Sequence, residues 1–128
     1  MLKTKHTVKD IGCASEGSCD YPDFASRAAE AVSKRLYDRG ILVCGSGVGM
    51  SIVANRYGGV RAALVWNADI ARLSREHNDA NILCLPGRFI KEDEAEKIIE
   101  IWLSADFIGK HHANRLEKIS RLEKTLCK

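Results

Sequence analysis

The sequence predicts a three-layer α/β domain on a mainly parallel sheet, and two observations predict it. Short, continuously apolar runs alternate with stretches of helical periodicity along the whole chain. The chain also has the size of one domain, 128 residues of which 45% are hydrophobic, which supports a single core. No repeat, low-complexity segment or linker interrupts the pattern, so residues 1–128 read as one unit.

The elements follow in order. Thr7 to Ile11 is a short strand candidate, ended by Gly12, and residues 13–19 form a polar loop holding Cys13 and Cys19. Pro22 suits the first turn of a helix capped by Asp20 or Tyr21. Ala25, Ala28, Ala29, Val32 and Leu36 recur at helical spacing until Gly40 stops that helix. Ile41 to Cys44 is the second strand. Val48 to Arg56 is the next helix, broken by Gly58 and Gly59. Val60 to Val65 is the third strand, and Asn67 caps a helix running to about Glu76. Ile82 to Leu85 is the fourth strand, ended by Pro86 and Gly87. Glu92, Asp93 and Glu94 place negative charge in the first turn of another helix, whose stripe is Ala95, Ile98, Ile99 and Trp102. Gly109 separates a last helix with Leu116, Ile119, Leu122 or Glu123, and Leu126 on one face.

Charge and cysteine usage narrow the function classes. The net charge is +3 and the basic residues are interspersed with acidic ones, which suits an anionic small molecule and argues against nucleic acid. An aromatic content of 6% leaves no stacking platform for single strands. No apolar run approaches the roughly 20 residues that span a bilayer, so no membrane role is expected. The N-terminus lacks an apolar stretch after its charges and does not read as a signal peptide. The 5 cysteines are odd in number and include no Cys-x-x-Cys, so no zinc site or disulfide framework is expected. Reduced thiols in a cytoplasm are the simplest reading. Cys44 and Cys84 are expected to end strands, and Cys127 lies at the tail.

In parallel sheets, ligands bind at the carboxyl ends of the strands. Cys44 stands there, followed by Gly45, Ser46, Gly47, Val48 and Gly49 and then by a helix. A free cysteine is most often a small buried hydrophobe. Three glycines within five residues change that reading, because they let a ligand approach backbone N–H groups, which together with a helix start favour a thiolate and hold anions. The spacing is neither a Walker loop nor the dinucleotide fingerprint. His77, followed by Asn78 and Asp79, lies at a helix end ahead of the fourth strand. A histidine there commonly serves the helix dipole, and it can also move a proton to or from a sugar oxygen. Arg88, His111, His112 and Arg115 are each a plausible solvated charge, and together they form a candidate phosphate site.

Taken together, Asp20-Tyr21-Pro22, the Cys44 loop with Ser51, the Gly59-Val60-Arg61 strand start and the Ser74 to Asp79 motif resemble the type B ribose-5-phosphate isomerases, a family that includes the galactose-6-phosphate isomerase subunits. The resemblance runs from about Val8 onward, with the motifs in the same order. It implies a Rossmann-like fold of flavodoxin-like strand order, 2-1-3-4-5, and an aldose–ketose isomerase without metal or cofactor. It implies ribose 5-phosphate and ribulose 5-phosphate as substrates, interconverted through an enediolate. Cys44 matches the base, the loop Gly45 to Gly49 with Ser46 matches the oxyanion and sugar contacts, and His77 matches the ring-opening group. Asn78 matches a substrate-binding Asn, while Arg88 and Arg115 match phosphate-binding arginines. The family implies a homodimer or tetramer with sites at the dimer interface, where residues near the C-terminus serve the partner's site.

The chain departs from the family pattern twice. His111 stands where an Arg is expected, which makes phosphate binding depend on pH. The family also begins with a strand ending in Asp-His and a helix, of which this sequence carries only the helix end; such a strand would border the Cys44 strand. Thr7 to Ile11, a neighbouring chain or a longer natural N-terminus are the ways to fill that position. A sugar-phosphate-binding protein with impaired catalysis, or an isomerase of a six-carbon sugar phosphate, are the alternative functions.

Overall fold

The computed structural model describes residues 6–12 and 20–126. Cys13, Cys19, Cys127 and the polar loop at 13–19 lie outside the described residues. Helices cover both faces of a parallel sheet of three strands. The elements are α1 (Tyr21–Ser33), β1 (Gly40–Cys44), α2 (Val48–Ala54), β2 (Ala62–Leu64), α3 (Ala68–Glu76), β3 (Ile82–Pro86), α4 (Glu92–Ser104) and α5 (His111–Thr125).

Side-chain alternation along β3 builds the two cores. Ile82 and Cys84 join Ala25, Ala28, Ala29 and Val32 of α1, Leu42 of β1 and Ala54 of α2 on one face. Leu83 and Leu85 join Ala71 of α3 and Ile98 and Trp102 of α4 on the other. The three small residues on the inner side of α1 let that helix sit close to the sheet. Asn67 caps α3 as expected, its side chain accepting from the Ile70 N–H at 2.9 Å.

The strand order differs from the expected one. The order is β1-β3-β2, so the Ile82–Pro86 strand lies between the Cys44 strand and Ala62–Leu64. All five residues of β3 are buried, whereas β2 is three residues long and half-buried. The more apolar strand takes the position covered on every side. Cys84 is therefore inside a strand and not at its end, paired with Leu42 and Leu64. Thr7 to Ile11 is not a strand. Residues 7–10 are exposed and make no ladder, and only Ile11 packs onto the core. Among the described residues, β1 has no strand on its outer edge.

Two helix expectations also change. α1 ends at Ser33, well before Gly40, because Arg35 adopts a left-handed backbone with φ 59°. The Leu36 N–H then closes back onto the Ala31 carbonyl at 2.9 Å, a Schellman-type end that leaves Leu36 exposed. The last helix forms, yet none of its residues is buried, and Ile119, Leu122 and Leu126 face solvent.

Candidate active site

The Cys44 loop is built by three local constraints. Gly47 has φ 77°, and a side chain there would meet Leu64 Cδ1 at 2.6 Å and the Leu85 backbone at 3.3 Å. Only glycine turns the chain from β1 into α2 so close to β3. Ser46 Oγ accepts from the Val48 N–H at 3.3 Å, while Ser51 Oγ donates to the Val48 carbonyl at 2.7 Å. The N–H groups of Ser46 and Gly47 donate to no protein acceptor among the described residues. They are available to an anion.

The loop after β3 closes over this turn. Gly87 N–H donates to the Cys44 carbonyl at 2.7 Å and Arg88 N–H to the Gly45 carbonyl at 3.0 Å. The Arg88 side chain lies over Gly45, its Cδ and Nε 3.2 Å from where a Cβ would stand. Gly49 is pressed against the Tyr21 ring, at 2.6 Å by the same measure. Cys44, Gly45, Ser46, Gly47, Val48, Gly49 and Arg88 thus form one cluster at the carboxyl end of the sheet. The Cys44 thiol is half-buried at its rim. Burial pushes the Cys84 thiol up to about 12, with the neighbouring Cys44 adding to the shift.

The remaining predicted residues gather elsewhere. α3 starts beyond the carboxyl end of β2 and returns to the start of β3, so His77, its C-cap, lies at the amino end of the sheet. β1 alone spans five residues, roughly 13 Å at about 3.3 Å per step, and this length separates His77 and Asn78 from Cys44. At the amino end the Asp79 carboxylate accepts from Arg75 at 2.8 Å and Arg61 at 3.3 Å, and the Arg61 Nε donates to the Asp79 carbonyl at 2.8 Å. These contacts hold the Asn78-Asp79 turn, where Asp79 is left-handed at φ 47°.

α5 delivers the rest of this second cluster. Ile108 N–H donates to the Glu76 carbonyl at 3.0 Å, and Gly109 and Lys110, both with positive φ, turn the chain into α5. His112 stacks on His77 with centroids 4.2 Å apart and planes 14° apart. His111 lies 4.0 Å from His112. Partial burial first, then the charges of His111, His77 and Arg115, lower the His112 pKa. At the far end of α5, Glu123 accepts from the Gly59 N–H at 2.6 Å, so the helix crosses the amino end of the sheet. One chain therefore brings His77 together with His111 and Arg115 but does not bring them to Cys44. His112, read from the sequence as one of four residues of a candidate phosphate site, stacks on His77.

The model of the ribose/galactose isomerase family matches residues 1–119. The chain belongs to this family. Among solved structures, the ribose-5-phosphate isomerase B of Clostridium thermocellum superposes with a TM-score of 0.94 at 48% identity, over 97% of this chain and 84% of that one. That of Mycoplasma genitalium, solved with bound ribulose 5-phosphate, gives a TM-score of 0.92 at 46% identity, over 96% of this chain and 83% of that one. The Escherichia coli ribose-5-phosphate isomerase B is 42% identical over 116 residues, 91% of this chain and 78% of its own length. Among the described residues of this ribose/galactose isomerase family member, no cluster of His, Cys, Asp and Glu is arranged to hold a metal ion. No helix among them is long and apolar enough to cross a membrane.

Proposed function

We propose that the protein interconverts ribose 5-phosphate and ribulose 5-phosphate, with each active site assembled from two copies of the chain. The observation that carries the reading is the Cys44 loop. It places a thiol, two unengaged N–H groups and the Arg88 side chain at one mouth of the sheet. The relatives named ribose-5-phosphate isomerase B, one of them holding ribulose 5-phosphate, support the substrate.

In this reading the Cys44 thiolate removes the proton from C2 of the open-chain aldose and returns it to C1, while the O2 hydroxyl proton passes to O1, leaving an alcohol at C1 and a ketone at C2. The negative oxygen of the enediolate is stabilised by the Ser46 and Gly47 N–H groups, as oxyanion donors stabilise other carbonyl chemistry. Ser46 Oγ, Val48 and Gly49 line the sugar. His77 exchanges a proton with the furanose ring oxygen and Asn78 holds a hydroxyl, both supplied by the second copy. Arg88 from one copy and His111 and Arg115 from the other bind the phosphate.

The distance between the two clusters makes a specific test. Cys44→Ala and His77→Ala each abolish turnover of ribose 5-phosphate. Mixing the two inactive proteins under exchange conditions restores activity, because a mixed dimer contains one site with both Cys44 and His77 intact. Failure of the mixture to recover activity, when mixed dimers have formed, overturns the two-copy site. Unchanged turnover in Cys44→Ala removes that residue as the base.

A further inference from the structure

The structure assigns His112 a role that the reading of His77 as ring-opening group does not by itself require. His112 is a positioning residue, which holds the His77 imidazole by ring stacking and leaves both His77 nitrogens free for the sugar. The inference rests on the proposed isomerase site. Its first support is a missing contact. A working imidazole is usually oriented by a hydrogen bond from the ring nitrogen that does no chemistry. Among the described residues, neither ring nitrogen of His77 has such a bond to the protein. The near-parallel His112 ring, at 4.2 Å and 14°, is the surface that fixes its plane.

The second support is that His112 is itself firmly placed. Its N–H donates to the Gly109 carbonyl at 2.9 Å in the first turn of α5. The positive-φ turn at Gly109 and Lys110 is tied to the end of α3 through the Ile108 to Glu76 bond. His112 therefore moves with the element that carries His77. The third support is the charge around it. His77 on α3 and His111 and Arg115 on α5 all disfavour a proton on His112. The carboxylates of the adjoining segment are engaged elsewhere, Glu76 with Arg72 and Asp79 with Arg61 and Arg75. A neutral His112 stacks on His77 without repelling the proton that His77 must carry.

The test separates stacking from turnover. In histidine-ring NMR of the intact protein, the His77 ring protons carry an upfield ring-current shift from His112. His112→Ala removes the shift, and His112→Phe, which keeps a flat ring, retains it. With ribose 5-phosphate, His112→Ala lowers kcat by about 10- to 100-fold with KM little changed, the cost of a misoriented group. His112→Phe restores most of kcat. A His77 resonance and a kcat both unmoved by His112→Ala overturn the proposal, and so does a Phe variant as impaired as the Ala variant. If the wild-type protein binds ribose 5-phosphate without turning it over, the isomerase reading falls. The positioning role is then decided by the ring-current shift alone.

Discussion

At the residue scale, two cysteines of one sheet face have opposite fates. Cys84 lies inside the central strand, fully buried, its thiol held protonated by desolvation. Cys44 ends an edge strand at a rim. Iodoacetamide at pH 8 is expected to alkylate Cys44 in the folded protein and spare Cys84, with peptide mass mapping as the readout; alkylation of Cys84 at a similar rate would contradict its burial. His112 makes a second prediction. Its pKa is lowered from the ordinary 6.5, so the unfolded chain binds a proton more readily than the folded one. Stability should therefore fall as pH drops through 6.5 toward the lower folded value. His112→Phe removes that part of the slope, which thermal unfolding between pH 7 and pH 5 would reveal. The glycine turn beside Cys44 was legible in the sequence because its glycines are local. The stacking of His112 on His77 was not, because it depends on how α5 returns to α3.

At the element scale, the turn from β1 to α2 is the critical joint. Gly47→Ala forces a side chain into a left-handed position and against Leu64 and the Leu85 backbone. Holding a residue other than glycine in that conformation costs about 1–3 kcal/mol. Urea unfolding should show a loss of that size together with loss of activity, and an unchanged midpoint would mean that the turn is not held as described. Caps and apolar stripes were readable from sequence, as Asn67 and the Glu92 turn show, since both depend on neighbours three or four residues away. The order of the strands was not, because it is decided by which strand is most completely buried, and that depends on both layers of helices. The last helix illustrates the same limit. Leu116, Ile119, Leu122 or Glu123, and Leu126 read as an apolar stripe by spacing alone, yet no described residue of the same chain buries Ile119, Leu122 or Leu126.

At the scale of the whole molecule, the candidate site residues divide between the two ends of the sheet. The sequence held a signal for this division. A helix that follows a parallel strand must run back along it, so a residue at its C-terminus stands opposite the strand's carboxyl end. His77 satisfies that condition and Cys44 stands at the other end. The grouping of His77, Asn78, His111 and Arg115 with Cys44 followed from the family resemblance, and within one chain the fold does not bring them to Cys44.

That division brings protein concentration into the kinetics. In the proposed two-copy site, a lone chain would hold the base without its ring-opening partner, and turnover would belong to the pair. Rate per milligram should fall as the protein is diluted below the dissociation constant of the dimer, with kcat per dimer unchanged. Charged substitutions at the exposed Ile119 or Leu122 should act by the same route, moving the onset of that loss to higher concentration. A dilution series of initial rates beside sedimentation measurements checks both, and a specific activity that stays constant in the monomeric range would show that one chain suffices.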